Sequence, residues 1–449
     1  MKHSSHGQWV VHAVVVLLVV CLRPAALSDS PDQLELSLAA AIERARAENP
    51  TLLIRRAQRA RAEAVRLGTR QGLWPTVSAE AAYLRADSSL LDDLPVLEPG
   101  LPPAVVRRDL GPIDGNVAWV QVLQPLINVS AWHARRQAGR QVEAARLGQD
   151  RAEDEVTLAV IEAYYGASTA TRQVDAERRG RRTAERALRQ VQGLFDEQLA
   201  PSVDVLRART RVLEMEARVA AAEREVVLAE TLLRQILGIE GAPRLLLTDA
   251  VPEPPAELPE LPVAPEQVRE RRDLRALEAA VEASEYGVRR ARAAYFPDIA
   301  LLGRYQRIDG NDPLDFDATG WVVGVTLRWT PFAGFGQAGA LGEAQAMEAE
   351  ARAELQALRR RALAEAETAL ADWRAELLGW ERASSAVDTA EEALQLTEAR
   401  HAEGLTDMTS LLQAQAEEVA ARTRETSARF NALVAAERYH LAIETDEPR

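Results

Sequence analysis

Two periodicities alternate along the chain. Residues 132–198 and 337–403 are rich in Ala, Glu, Arg and Leu, contain no Pro, and repeat apolar positions at helical spacing over 67 residues each,. At 1.5 Å per residue each predicts a helix of roughly 100 Å, far longer than a globular domain uses. Shorter helical patterns follow the breaks at Ala200-Pro201 and Gly404, over 202–237 and 408–443, and others occupy 36–73 and 265–295. One helix of each short kind, added together, again comes to roughly 100 Å. The pattern therefore predicts two short helices stacked end to end beside each long one, antiparallel to it. Independent coiled-coil rods are the alternative.

Between the helices the period falls to two. Ile299, Leu301, Gly303 and Tyr305 alternate with Asp298, Ala300, Leu302, Arg304 and Gln306. Trp321, Val323, Val325, Leu327 and Trp329 likewise alternate with Val322, Gly324, Thr326, Arg328 and Thr330. Such alternation marks strands, expected at about 75–85, 116–125, 297–307 and 320–331. In the first half the apolar face is expected to carry Val77, Ala79, Ala81 and Tyr83, then Val117, Trp119 and Leu123, with Gln121 interrupting it. Aromatics concentrate in and beside these segments, as a membrane β-strand with interfacial girdles requires. A half-buried soluble hairpin would alternate in the same way. The membrane reading rests on the combination with very long helices and an export signal.

The two halves repeat one plan. Leu52 meets Leu274, Ala57 meets Ala279 and Pro75 meets Pro297 at an offset of 222, while Pro125 meets Pro331 and Leu199 meets Leu405 at an offset of 206. The change in offset places extra residues in a first-half loop near 94–115, which holds Pro95, Pro99, Pro102, Pro103 and Arg107-Arg108 and is expected to face outward. Six prolines within 251–265 mark a linker between the repeats,.

Charge and composition narrow the chemistry. The net charge of -14 argues against a nucleic-acid partner,. The chain has one lysine, Lys2, which removes phosphate-loop and Schiff-base chemistry from the rest of the chain,. Its one cysteine, Cys21, excludes a disulfide framework,. Cys21 lies in an apolar run over 10–22 that follows Lys2 and precedes Ala26-Leu27-Ser28, the pattern of a signal peptide over 1–28,. An uncleaved anchor would need about 20 apolar residues. Lipid attachment at Cys21 is the other alternative, although Val20 is bulky where lipoprotein signals carry a small residue. Four strands cannot close a barrel, and an open sheet edge is unsatisfied in lipid, so several copies must share one barrel.

These features have a family counterpart. Leu38-Ala39-x-Ala41-Ile42-x-x-Ala45-x-x-x-Asn49-Pro50, the junctions Trp74-Pro75 and Tyr295-Phe296-Pro297, Gln124-Pro125-Leu126, Pro331-Phe332-x-Gly334 and Gly404-Leu405 occur in this order and with duplicated spacing. In them the chain resembles the TolC-like outer-membrane efflux protein family, across essentially all of it after the signal. The resemblance implies a mainly α fold with membrane β-structure, in two repeats over 29–250 and 266–449, each a long helical hairpin plus two strands. It implies a homotrimer whose 12-stranded β-barrel sits in the outer membrane of a Gram-negative bacterium, on a 12-helix α-barrel tunnel in the periplasm. The implied role is a passive exit duct, not an enzyme, with no cofactor. Its implied partners are a periplasmic adaptor (membrane fusion) protein, an inner-membrane RND or ABC pump, and outer-membrane lipid. An exported coiled-coil scaffold of the cell envelope is the competing reading.

Gln198-Leu199-Ala200-Pro201, within 198–202, and Glu403-Gly404-Leu405-Thr406, within 403–407, are similar to the family's two hairpin turns, where the resemblance places adaptor docking. Only the second keeps the family's glycine. Asp204-Val205-Leu206-Arg207-Ala208 matches a family segment whose acids narrow the periplasmic entrance, whereas the second half has Ser410-Leu411-Leu412-Gln413-Ala414. Asp204, Asp407, Ser410 and Gln413 are therefore the entrance candidates. A threefold ring of Asp204, with Asp407 and Glu403 nearby, would favour cations; a solvated helix face is the plain alternative. His133, His401 and His440 lack metal-ligand spacing, His401 beside the second tip is either a plain surface histidine or a contributor to pH-dependent gating, and Asn128-Val129-Ser130 is a chance sequon,.

Overall fold

The computed structural model describes residues 33–86, 95–96, 104–105, 113–241, 243–259, 263–310, 318–403 and 405–444. The signal segment with Cys21, Gly404 and most of the long first loop lie outside the described residues. In chain order the elements are β1 (Gln33–Leu36), α1 (Leu38–Glu48), α2 (Pro50–Gly68), a 3-10 turn (Thr69–Gly72), β2 (Thr76–Ala86), β3 (Pro95–Val96), β4 (Ala104–Val105), β5 (Ile113–Ile127), α3 (Val129–Asp196) and α4 (Ser202–Leu237). They continue with β6 (Arg244–Leu247), α5 (Arg272–Ala293), β7 (Asp298–Gly310), β8 (Ala318–Arg328), α6 (Gly336–Ala402) and α7 (Met408–Ile443).

The helices form one layer. α3, of 68 residues, packs against α2 near the strands and α4 toward the tip, and α6, of 67 residues, packs against α5 and α7 in the same way. Because α5 and α7 also lie on α3, the order across the layer is α2 with α4, then α3, then α5 with α7, then α6. Two apolar clusters hold it. Leu52, Val160, Tyr164, Leu233 and Leu237 pack in the first half, and Ala362, Ala366, Leu370, Trp373 and Tyr439 in the second. Each large side chain buried in this way contributes roughly 1.5–3 kcal/mol.

The expected helix over 36–73 is in fact two helices. Pro50 drives the preceding residue out of the helical region, and Asn49 is extended at φ -62 and ψ 126,. The Asn49 Oδ1 accepts from the amides of Thr51 (2.8 Å) and Leu52 (3.3 Å), while its Nδ2 donates to the Ile236 carbonyl at the end of α4 (2.8 Å). Asn49 thus caps α2 and joins it to α4. In the second half the helix expected from 265 begins only at Arg272, because Arg271 is extended at φ -52 and ψ 132. Its guanidinium donates to the Ala442 carbonyl near the end of α7 (3.3 Å). The stacked pairs are therefore α4 with α2 and α7 with α5.

Beside these joints a collar adds a second layer. β1 and β6 pair in parallel, and the Tyr164 hydroxyl donates to the Leu36 carbonyl (2.8 Å) and accepts from the Asp249 amide (3.0 Å). The sequence pattern missed both strands, since four residues are too few to show a period. β3 and β4 form a two-residue antiparallel ladder within the long loop.

The main sheet is antiparallel, ordered β2, β5, β7, β8. Its register corrects one expectation. Val120 pairs with both Ala79 and Tyr305, and Val122 with Val77 and Gly303, so the apolar face of β5 carries Ala118, Val120 and Val122. Val117, Trp119, Gln121 and Leu123 point to the opposite face. Cross-strand partners share a face, and a one-residue change of parity flips every side chain.

Candidate functional site: the sheet, the tips and the entrance

The two faces of the sheet differ in chemistry. On one, Val77, Val122, Gly303 and Val323 lie in register, next to Ala79, Val120, Tyr305 and Trp321. Trp321 is 74% exposed and Val325 65%, far above what a water-facing strand carries, and this face is continuous across all four strands. It is bounded at the helix end by exposed Trp74, Phe296, Trp329 and Phe332, and at the other end by Tyr83 and the ion pair Arg307–Asp309 (2.9 Å). The other face lines up Ser78, Gln121 and Arg304. The Arg304 Nε donates to the Gln121 Oε1 (3.1 Å), and its guanidinium lies over the Trp119 ring at 5.6 Å. The reverse face is mixed, with Ser78, Gln121 and Arg304 among Val117, Trp119 and Leu123, and an apolar band with aromatic borders is what the lipid side of a membrane strand requires. β2 and β8 each keep one unpaired edge.

The two tips close in the same way. At the first, the Leu199 amide donates to the Leu194 carbonyl (2.7 Å), and at the second the Leu405 amide donates to the Arg400 carbonyl (2.8 Å), both reaching back five residues as in the Schellman helix end,. The residue before Leu199 is Gln198 at φ 59, a left-handed position that costs a side-chain-bearing residue about 1 kcal/mol. Its counterpart, Gly404, lies outside the described residues. Leu199 and Leu405 protrude, 71% and 64% exposed. Ala200 and Pro201 follow, Pro201 standing before α4 without a side-chain cap. In the second half Thr406 offers its carbonyl to the His401 Nδ1 (3.2 Å).

The entrance candidates sit at the cap and on the first two turns of α7 and on the first turn of α4, and the structure brings Asp407 and Ser410 together. Asp407 is the N-cap of α7. The Ser410 hydroxyl (2.6 Å) and amide (2.9 Å) both donate to its carboxylate, which holds its pKa below the usual carboxylate value. Asp204, on the first turn of α4, lies 3.7 Å from Arg207, and Gln413 donates to Glu417 (2.9 Å). Asn128 caps α3 by accepting from the Ala131 amide (2.7 Å), which gives the sequon a structural reason. His133 stacks with Tyr286 and His440 packs on Trp373 and Tyr439, far from His401. Among the described residues no group of three or more His, Cys, Asp or Glu could hold a metal, and no helix is long and apolar enough to cross a membrane.

Known proteins share this architecture. A membrane protein from Pseudomonas aeruginosa is 20% identical with a TM-score of 0.74, covering 90% of this chain and 93% of its own. The outer membrane protein VceC from Vibrio cholerae is 17% identical with a TM-score of 0.72, covering 90% and 95%. The MtrE outer membrane channel of Neisseria gonorrhoeae, solved in an open state, is 19% identical with a TM-score of 0.69, covering 90% and 88%. No curated protein matches the sequence. The sequence model of the outer membrane efflux protein family matches residues 41–239 and 264–442, which together span both repeats. By that match, and by a fold it shares with outer-membrane channels, this chain belongs to the outer membrane efflux protein family, a family of efflux ducts and not of enzymes.

Proposed function

We propose that three copies of this chain form the outer-membrane exit duct of a tripartite efflux or secretion system. The observation that carries the reading is the four-stranded sheet with one apolar face and an open edge at each side, mounted on helices of roughly 100 Å,. Three such sheets, β8 of one copy paired to β2 of the next, would close a 12-stranded barrel with the face of Gln121 and Arg304 inward. The helical layers would then form a tunnel through the periplasm. The tips, Gln198 to Pro201 and Gly404 to Thr406, would meet a periplasmic adaptor fed by an inner-membrane RND or ABC pump. Asp204, Asp407, Ser410 and Gln413 would border the entrance. Conduction is passive, since the chain's part is to enclose a path.

Detergent-solubilised protein from a Gram-negative outer-membrane fraction is expected to have the mass of a trimer and to conduct ions in a planar bilayer. A soluble monomer or dimer in the periplasm would overturn the reading and favour the coiled-coil scaffold.

A further inference from the structure

The chain is acidic as a whole, but not where its helices meet the sheet. Residues 64–79, 126–142, 286–297 and 328–342, the four segments in which the chain passes between helix and sheet, hold nine arginines and no Asp or Glu. Three of these arginines converge. Arg66 on α2, Arg70 on the 3-10 turn that follows and Arg135 on α3 line one cavity of about 280 Å³, together with Leu67 and Glu63. Glu63 is the one carboxylate that lines it, and it is already paired with Arg59 (3.0 Å). Among the described residues Arg66, Arg70 and Arg135 make no ion pair, so the cavity keeps a net positive charge.

Its position decides what can reach it. Arg135 precedes Tyr164 by 29 residues, which is eight helical turns and about 20°, so both lie on one face of α3. Tyr164 holds the collar on that face through Leu36 and Asp249. A second layer has room only on the convex side of a closed ring of helices, which places the cavity on the outside of the tunnel. It lies between α2 and α3 of one chain, so copies that pack against α6 and against the far side of α2 leave it open. Arg135 stands two turns into α3, roughly 10 Å from the end of β5,. Exposed Trp132 is one turn nearer to the sheet, and exposed Trp74 lies between Arg70 and β2. A headgroup layer occupies roughly 5–8 Å on each side of the hydrocarbon, within reach of an arginine side chain at this depth.

Chemistry selects the occupant. Guanidinium groups hold phosphate oxygens through paired N–H donors, and basic pockets between helices at a membrane surface take anionic lipid headgroups. Leu67 in the cavity and Trp132 beside it, both exposed, offer acyl chains an apolar surface next to the charged one. We propose that the cavity between α2 and α3 holds the phosphate of an anionic phospholipid of the periplasmic leaflet, through Arg66, Arg70 and Arg135. The inference rests on the duct reading and adds to its apolar band a lipid site of defined charge.

The test uses the full chain, solubilised as an oligomer, with phosphatidylglycerol or phosphatidylcholine of the same acyl chains added to the detergent and bound lipid counted by native mass. Phosphatidylglycerol is expected to bind at least about tenfold more tightly than phosphatidylcholine, at one per chain. Combined Arg66→Gln, Arg70→Gln and Arg135→Gln should remove that preference. Combined Arg179→Gln, Arg182→Gln and Arg189→Gln, the same loss of charge toward the tips, should keep it. In the unaltered chain a phosphatidylglycerol with a photoreactive headgroup should label residues 63–70 and 132–139, a readout that does not depend on the variants folding. Equal binding of the two lipids, equal loss in both triple variants, or labelling confined to other segments would overturn the proposal. So would displacement of the lipid by millimolar inorganic phosphate at constant ionic strength, which would mark a free-anion site. Bilayer conductance of the same preparations separates the two readings: conductance without lipid preference sinks the site alone, and its absence sinks the duct.

Discussion

The two repeats build the same joint from opposite chemistry. Asn49 and Arg271 are equivalent at the repeat offset of 222, and each closes a short helix by donating to an equivalent carbonyl, Ile236 in the first half and Ala442 in the second. The residue two beyond that carbonyl is left-handed in both halves, Gly238 at φ 64 and Glu444 at φ 47. The first joint is neutral and needs only an amide and a glycine. The second is ionic: Arg271, 2% exposed, pairs with Asp273 (2.7 Å) and Glu365 (3.1 Å), and Arg272 bonds both Asp154 and Glu444. The tips invert the pattern, with the non-glycine left-handed residue, Gln198, in the first half. One backbone path can thus be held by shape or by charge, and the two should respond differently to perturbation.

The largest difference is expected from Arg271→Ala. It strands an α7 carbonyl and leaves the partly exposed Asp273 without its cation, and should cost about 2–3 kcal/mol,, against about 1 kcal/mol for Asn49→Ala. Hydrogen exchange of the flanking helices reads both, and equal losses would erase the distinction. Next comes Gly238→Ala. A Cβ there would meet the Glu48 carbonyl oxygen at 2.8 Å in a left-handed backbone, and local protection at the first joint should fall by about 1–3 kcal/mol,.

The second joint should respond to pH in two opposite ways. Burial pushes the Asp273 carboxyl up, but the hydrogen bond and charge of Arg271 outweigh it and leave the pKa below the ordinary value. Its contribution is therefore present above the unfolded pKa and is lost as pH falls through the folded one. Burial raises the Glu444 pKa despite the Arg272 amide and neighbouring arginines. The folded chain holds that proton more tightly, so its contribution is lost as pH rises through the raised value. Glu444→Gln should remove the second change and keep the first, in exchange measured from about pH 2 upward. The smallest effect is expected from Gln198→Gly, which relieves a left-handed side chain and should stabilise the first tip by about 0.5–1 kcal/mol. No gain in protection near Leu199 would show that the tip is held by contacts outside the turn.

Much of the architecture was legible before any coordinates, because its signals are long. Runs of 67 residues at one period, duplicated prolines and alternating aromatics cannot be mistaken over such lengths,. Short or paired features were not legible. β1 and β6 are only four residues each and exist because they pair with one another. The break at Asn49-Pro50 was within reach, since Pro after Asn is a helix-start signal. Arg271 was not, because nothing local marks an arginine that will be buried against partners at 365 and 442.

The sequence by itself determined the repeat, the lengths of α3, α4, α6 and α7, the alternating strands and the family, since each depends on local propensity or on order along the chain. Tertiary structure alone decided which face of β5 meets Tyr305 and which charges form the second joint. Those are properties of pairs brought together from distant positions. Register and burial assign them, and no period along a single strand or helix encodes either.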